Sequence, residues 1–185
     1  MLSIIAIVMG WVYWIIVEYS IHRWAFHKKH LQYDSIFSFH LYEHHIIATK
    51  EAMDDHQYQS RSSSRSARRK ENILLFIIAA VNAPFVFLSP LFYLSFICSE
   101  ISYFVIHKKS HTNSEWSRRY LSHHYDHHMG PDSYCNFGVQ TDIIDRILGT
   151  RKKFYGTKQE AVSRHYSILR YSRHRLKTIL KNKHK

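Results

Sequence analysis

Two long apolar runs constrain the fold of this chain more than any other feature of its sequence. The first covers residues 2–17 without a charged side chain and extends to Ile21 with Glu18 as its only charge. About 20 residues of helix at ~1.5 Å per residue match the ~30 Å hydrocarbon core of a bilayer. The run lacks the basic start and the small-residue cleavage site of a signal peptide, so we expect an uncleaved membrane helix.

The second apolar run covers residues 73–106, in which Glu100 is the only charged side chain. One helix of this length would exceed the bilayer, and Pro84 and Pro90 interrupt its centre. A buried hairpin in a soluble protein is the alternative interpretation, but two separate uncharged runs in one short chain favour the membrane. We therefore predict two short membrane helices, 73–88 and 91–106, joined in a hairpin with its tip near Ser89–Pro90.

Charge placement predicts the orientation of these helices. The formal net charge is +12, and the basic residues flank the apolar runs, whereas none lies before Glu18 or near the hairpin tip. The positive-inside rule places the basic segments in the cytoplasm and the N-terminus outside. These segments are 23–29, 61–70, 108–119 and 151–185.

The expected fold is an all-α integral membrane protein with about three membrane helices, an anchor plus a hairpin, and a cytosolic helical cap. Attraction to anionic lipid headgroups explains the net positive charge. Nucleic-acid binding is the alternative explanation, but the sequence contains neither a recognition helix nor an aromatic binding platform. We therefore expect no nucleic-acid partner.

Most of the 16 histidines fall into four clusters on the predicted cytosolic side. HRWAFH follows the first membrane helix, HKKSH follows the hairpin, and HLYEHH and HHYDHH lie elsewhere on the same side. Neutral imidazole binds iron, zinc, copper or nickel, and four clusters at one membrane face predict a shared metal site. Outside the clusters, we expect ordinary interfacial residues at His56, His165, His174 and His184.

The spacing within each cluster predicts which imidazoles share a face. Residues three or four apart on an α-helix face one way and can direct two imidazoles at one point. His22 and His27 are five apart, so they need a helix break to share one metal, or they serve two metals. The nearby carboxylates expected to orient imidazole N–H groups are Asp126, Glu43 and Glu115. The sets at helical spacing are His40 with His44, His107 with His111, and His124 with His127 and His128.

These clusters, in this order around a membrane hairpin, resemble the histidine boxes of the fatty acid hydroxylase/sterol desaturase superfamily. Its members are integral-membrane di-metal oxygenases whose boxes lie on the cytosolic side. The stretch HHMGPDSYCNFGVQTDIIDRILGT is similar to the family's run from the last box to a terminal Gly-Thr. The resemblance covers about residues 18–155, so we predict a hydroxylase-like domain over 1–155 and a basic tail over 156–185. The matching residues of the closing stretch are Asn136, Phe137, Gly138, Asp145, Gly149 and Thr150.

The resemblance implies ten histidine ligands for two metal ions. The second box departs from the family's usual H-x-x-H-H spacing, because three residues separate His40 from His44. The implied ligands are His22, His27, His40, His44, His45, His107, His111, His124, His127 and His128. Supporting or unassigned positions beside them are His30, His123, Asp126, Asn136 and Asp145.

Hydroxylation of an unactivated C–H bond requires a redox cofactor, so the implied metals are two iron ions with O₂ as co-substrate. Zinc has no redox states and could not supply this chemistry. The sequence contains no haem, flavin or iron–sulfur motif, so electrons must come from a cytochrome, ferredoxin or reductase. The expected substrate is a fatty acyl or sphingolipid chain. Candidate walls for its channel are Phe92, Tyr93, Phe96 and Tyr103.

Two other functions stay open. A carotenoid or sterol hydroxylase or desaturase would belong to the same superfamily, and a non-catalytic membrane zinc or iron protein would serve storage, transport or signalling. Transport is disfavoured because the histidines lie beside the membrane and not at its midplane. Larger relatives have four spans, so an oligomer could complete the acyl-binding region. The ending KNKHK fits an endoplasmic-reticulum retrieval signal, and a bacterial inner membrane is equally compatible.

Overall fold

The computed structural model describes residues 2–28, 37–59 and 67–163, and every regular element in these ranges is a helix. The all-α prediction is therefore confirmed for the described part of the chain. Two of the elements are π-helical segments, Ile21–Phe26 and His40–His45. The α-helices are α1 (Leu2–Ser20), α2 (Ile46–Lys50), α3 (His56–Gln59), α4 (Ala67–Asn82), α5 (Phe85–Leu88), α6 (Pro90–Ser110), α7 (Ser114–Tyr120), α8 (Ser122–Met129) and α9 (Ile143–Ile147).

The two longest helices, α1 and α6, pack against each other at short range. A Cβ added to Gly10 would lie 2.2 Å from the Phe92 carbonyl oxygen, so only glycine permits this approach. The Ser95 hydroxyl donates a hydrogen bond of 2.6 Å to the Ile7 carbonyl. Farther along, the buried Trp14 ring makes edge contacts with the aromatic rings of α6. This contact forms the main apolar core.

Two helices among the described residues are long and apolar enough to span a membrane, Leu2–Phe26 and Pro90–Ser110. Many apolar side chains of α1 face outward; Leu2 is 80% and Ile4 is 68% exposed. Such a surface fits contact with lipid tails, where apolar exposure carries no penalty. The third predicted span and the cytosolic position of the cap stay predictions.

The hairpin differs in its bounds from the sequence prediction. The helix predicted over 73–88 ends at Asn82, turns at Ala83–Pro84 and resumes as the short α5. Proline cannot donate a helical hydrogen bond, which accounts for the break at Pro84. Extended backbone at Ser89 then lets Pro90 begin α6, since a missing N–H is tolerated in the first helical turn. The predicted tip at Ser89–Pro90 agrees with this geometry.

The segment after α8 folds back against the end of α1. The Val139 N–H donates to the Glu18 carboxylate, and the Tyr19 hydroxyl lies 2.9 Å from the Thr150 hydroxyl. On the other side of the histidines, the Asp55 N–H donates to the His111 carbonyl at 2.8 Å. These contacts hold the loops that contain Val139, Thr150 and Asp55 against the ends of α1 and α6.

Candidate metal centre

All ten histidines implied as ligands come together, and every one of them is buried. They form two groups at the ends of α1 and α6. Within each group, one potential ligand atom per residue lies within 4.8 Å of the others. His124 adjoins the second group, because its Nε2 lies 3.2 Å from Nε2 of His111. The first group is His22, His27, His40, His45 and His127, and the second is His44, His107, His111 and His128.

The π-helical segments explain why histidines five residues apart meet. The His27 N–H donates to the His22 carbonyl at 3.1 Å, a bond across five residues. Such bonds bring residues five apart onto one face of the helix, and short π segments are frequent at functional sites. The His22 and His27 ring centroids are consequently 4.9 Å apart, without a helix break.

The second π segment changes the pairing expected from α-helical spacing. His40 and His45 share the first group, with their Nε2 atoms 3.1 Å apart, whereas His44 lies in the second group. The prediction that His40 and His44 aim at one point was therefore wrong, because five-residue spacing replaces four-residue spacing here. His107 and His111 share the second group, as their position on α6 predicts.

Helix α8 contributes to both groups. Its last two histidines are neighbours in sequence and point in different directions, so His127 joins the first group and His128 the second. In the second π segment, the neighbouring residues His45 and His44 likewise belong to the first and the second group. These two elements therefore hold the two groups side by side.

Five imidazoles have Nδ1 hydrogen-bonded to an oxygen outside the groups. A donor Nδ1–H fixes the tautomer and leaves the Nε2 lone pair for a metal ion. Three oxygens are backbone carbonyls and two are carboxylates. The pairs are His22 with the Phe137 carbonyl, His127 with the Cys135 carbonyl (2.6 Å), His111 with the Met53 carbonyl (3.0 Å), His44 with Asp55 (3.3 Å) and His107 with Glu71 (2.6 Å).

The inward-facing nitrogens suit a cation. In the first group, Nε2 of His40 lies 2.8 Å from that of His22, and Nε2 of His127 lies 3.0 Å from that of His45. Nε2 of His22 and Nε2 of His127 each present a lone pair, because Nδ1 of each ring donates to a backbone carbonyl. Both ring nitrogens of His27 are buried without a protein partner in the described chain, a costly arrangement that metal coordination would relieve. The same holds for both nitrogens of His128 and for Nε2 of His44 and His107.

Burial keeps seven of the imidazoles neutral, which is the form that binds metal. Loss of hydration lowers the pKa of His127 to about 4, although its bond to the Cys135 carbonyl opposes the shift. The same loss of hydration, reinforced by neighbouring imidazoles, lowers the pKa of others. These are His27, His40, His45, His111, His124 and His128.

Two of the three carboxylates predicted to orient imidazoles, Asp126 and Glu43, bind other groups in the structure. Asp126 accepts bonds from Arg151 Nη1 at 2.8 Å and from the Tyr155 N–H at 2.6 Å, and Glu43 pairs with Lys70. Asp55 and Glu71 take the expected role instead. Neither residue could be predicted from the sequence, because Asp55 follows His44 by 11 residues and Glu71 precedes His107 by 36, so no helical spacing links either pair.

The other supporting positions fall into three cases. Asp145 accepts from the Phe137 and Gly138 N–H groups at 2.9 and 2.8 Å, and so holds the turn whose carbonyl meets His22. Asn136 lies in the same turn with a left-handed φ of 55°, and its side-chain oxygen accepts a hydrogen bond from the Lys152 N–H. His123 Nε2 instead lies 2.9 Å from the Val139 carbonyl, outside both groups. His30 lies outside the described residues, as do His165, His174 and His184.

A small cavity of about 30 Å³ lies between α1, α4 and α6 and reaches His22. Tyr103 is the one predicted channel wall among its lining residues. The other three candidates take part in helix packing: Phe96 is fully buried against Trp14, the Tyr93 hydroxyl donates to the Ala79 carbonyl, and Phe92 lies against Tyr13. The remaining lining residues are Trp14, Glu18, Ile21, Phe26, Glu71, Leu74, Leu75 and Ile78.

Two apolar helices of membrane length end beside two groups of buried imidazoles. This combination is typical of a membrane metalloprotein. The family model described as fatty acid hydroxylase matches residues 7–150, and the chain belongs to this family. The match confirms the resemblance inferred from the histidine clusters, and it indicates a membrane hydroxylase or desaturase with histidine boxes known to bind iron. Comparisons with curated proteins and with solved structures find no match.

Proposed function

We propose that this protein is a membrane di-iron oxygenase that hydroxylates the alkyl chain of a lipid, either a fatty acyl or a sphingolipid chain. The observation that carries the proposal is the pair of buried histidine groups, in which both ring nitrogens of His27 and His128 and Nε2 of His44 and His107 have no protein partner among the described residues. Two cations satisfy these nitrogens, and the family's iron-binding boxes support iron.

Each group would hold one iron ion. His22, His27, His40, His45 and His127 would hold the first, and His44, His107, His111 and His128, with His124 beside them, the second. When bound, the irons supply the redox chemistry by which O₂ is used on an unactivated C–H bond.

The protein's own residues orient and shield this centre. In five of the ten histidines, the Nδ1 bonds to carbonyls and carboxylates keep Nε2 directed inward, so these ligands are oriented before metal binds. Burial of every imidazole excludes bulk water. The small, mainly apolar cavity beside His22 lies between α1, α4 and α6, and we propose that the alkyl chain approaches the first group from this side.

Hydroxylation consumes one O₂, two electrons and two protons per lipid and releases one water, so the enzyme needs an external electron donor. We propose a cytochrome, ferredoxin or reductase for this role. Lys109 and Arg119 are exposed close to the end of α6, and such a basic surface would suit an acidic donor. The histidine groups would face the cytosol in a multi-pass protein of the endoplasmic reticulum or the bacterial inner membrane.

Mass spectrometry of lipids from cells grown under ¹⁸O₂ with iron tests the proposal. Cells that express the wild type should contain a lipid that has gained one ¹⁸O atom, and this lipid should be absent with His127→Ala. The matched control is His123→Ala, because His123 lies on the same helix but outside both groups.

Other outcomes would identify the alternatives. A lipid that loses two hydrogens and gains no oxygen would indicate a desaturase, and a labelled sterol or carotenoid would change the substrate class. Iron-loaded protein that oxidises no lipid when given O₂ and a reductant would contradict the proposal and favour a non-catalytic metal protein.

A further inference from the structure

Helix α9 presents an apolar face that is exposed in the described part of the chain. Ile143 is 57% and Ile147 is 75% exposed, and Leu148, which follows the helix, is exposed as well. Ile143 and Ile147 are four residues apart and therefore lie on one face of the helix. Single exposed apolar side chains are ordinary on a protein surface, whereas adjoining ones indicate contact with a partner or a membrane.

A contact just before α9 fixes its depth along the membrane-length helices. Gln140 lies three residues before α9, and its Nε2 donates a hydrogen bond of 2.6 Å to the Ser99 carbonyl. Ser99 lies near the middle of α6, about 14 Å along the helix axis from Pro90. A hydrocarbon core of ~30 Å covers about 20 residues of helix, so a membrane that α6 crosses includes the level of Ser99.

A second contact fixes the other end of α9. Thr150 lies three residues after the helix, and its hydroxyl lies 2.9 Å from the Tyr19 hydroxyl at the end of α1. The Thr150 hydroxyl also bonds the Asp145 carboxylate of α9 at 2.6 Å. The helices α1 and α6 belong to the two candidate membrane spans. Because only three residues separate α9 from each contact, α9 lies beside the last part of these spans and not beyond their ends.

The charged side chains of α9 are paired within the protein, which a position at the edge of a bilayer favours. Asp145 is fully buried and accepts from the Phe137 and Gly138 N–H groups. Asp142, directly before the helix, pairs with Arg146 at 2.8 Å. The Arg146 side chain is mostly exposed, and such a long side chain can extend to lipid headgroups while its stem stays among apolar groups.

The size and composition of this face favour lipid over a protein partner. Stable protein interfaces bury about 800 Å² on each partner, far more than three aliphatic side chains expose. Contact with a bilayer surface requires only apolar side chains at the level of the acyl chains and basic ones at the level of the headgroups. The exposed Ile143, Ile147 and Leu148, with Arg146 between them, meet this requirement.

We propose that α9 is an interfacial helix that binds the lipid bilayer. Its apolar face, formed by Ile143, Ile147 and Leu148, lies among the acyl chains beside the ends of α1 and α6, and Arg146 lies among the headgroups. The membrane contact of the chain thus extends beyond its two candidate spans to a segment of the predicted cap. This binding does not depend on the reaction proposed above.

Nitroxide labels on the full chain in lipid vesicles test this inference. The labels are attached to Ile143→Cys and Ile147→Cys in a Cys98→Ser background, because Cys98 is the exposed free thiol and Cys135 is buried. The vesicles contain phosphatidylcholine and phosphatidylglycerol. Power-saturation EPR then compares the collisions of each label with O₂, which concentrates in hydrocarbon, and with a water-soluble nickel chelate. The reference labels are placed at Val8→Cys, on the exposed side of α1, and at Lys158→Cys, an exposed charged position.

The ratio of O₂ collisions to nickel collisions should be severalfold higher for both α9 labels than for the label at Lys158, and should approach the ratio at Val8. A ratio equal to that at Lys158 would place α9 in water, and few collisions with either reagent would show that protein covers it. Either result would overturn the inference. A label at Val8 that does not prefer O₂ would also overturn it, because α1 would then not lie in hydrocarbon. None of these results depends on lipid oxidation.

Discussion

Glu71 Oε1 lies 2.6 Å from His107 Nδ1, and both residues are buried. The same carboxylate accepts bonds from the Tyr103 hydroxyl at 3.0 Å and the Tyr58 hydroxyl at 2.5 Å. Three donors, two from α6 and one from α3, therefore converge on one side chain of α4. The arrangement holds the His107 ring so that its unpartnered Nε2 is left for the second histidine group.

Glu71→Gln should weaken metal binding in the second group about 10- to 100-fold, because an amide is a poorer acceptor for the imidazole N–H. Competition with a chelator, followed by metal analysis, measures this change. Glu43→Gln is the matched control, since Glu43 pairs with Lys70 at the surface. Equal metal retention by both variants would show that Glu71 does not support a ligand.

His127→Ala and His44→Ala should each lower the metal content and abolish lipid oxidation. The first removes a ligand from the first group and the second removes one from the other group. His123→Ala should keep both metals and lose at most about 1 kcal/mol of stability, the usual worth of one hydrogen bond. Full metal content in His127→Ala would contradict the division into groups.

Asp145→Asn should release metal from the first group about tenfold faster than from the second. The carboxylate accepts two backbone bonds in the turn whose Phe137 carbonyl meets His22 Nδ1, and bonds to a charged acceptor are worth roughly 1.5–3 kcal/mol. Stopped-flow transfer to a chromogenic chelator gives the rates. Asp142→Asn breaks only ion pairs with Arg146 and Arg151 and should release metal as the wild type does.

Gly10→Ala should lower the free energy of unfolding by about 1–3 kcal/mol or more, because the new methyl group would meet the Phe92 carbonyl oxygen at 2.2 Å. The clash forces α1 away from α6. Thermal unfolding in detergent measures the effect, with Val8→Ala on the exposed side of α1 as the control. A melting temperature equal to that of the control would mean that the helices do not approach so closely.

The metal-free chain should lose stability as the pH falls from about 6.5 to 4. In the unfolded state His127 takes up a proton near its ordinary pKa of 6.5, whereas burial holds its folded-state pKa at about 4. The stabilisation is complete above pH 6.5 and decreases by about 1.4 kcal/mol per pH unit for this group until pH 4. Melting temperatures of the chelator-treated chain at pH 7 and pH 5 test this, and equal values would contradict it.

The positions of the long helices and of the histidine clusters could be predicted from the sequence because both depend on local pattern. Uncharged runs predicted α1 and α6, and the two prolines predicted a break, although Pro84 ends α4 earlier than expected. Which histidine belongs to which group could not be predicted in this way. It depends on π-helical hydrogen bonding at His22–His27 and His40–His45, which the residue types do not specify.

Support of the ligands by distant residues was also inaccessible to sequence reasoning. Asp126 lies inside a histidine cluster, yet its carboxylate bonds Arg151, whereas Glu71 comes from a helix that begins with a basic segment. The contact between Glu71 and His107 depends on how α4 packs near α6. The family motif nevertheless identified Asp145, because its role in the turn is local.

The ratio of iron to protein in the anaerobically loaded full chain tests the central claim most directly. Atomic spectroscopy, with the protein quantified by amino-acid analysis, should give two iron ions per chain, one for each histidine group. A ratio of one, or an absence of tightly bound iron, would contradict the account of two adjacent metal sites.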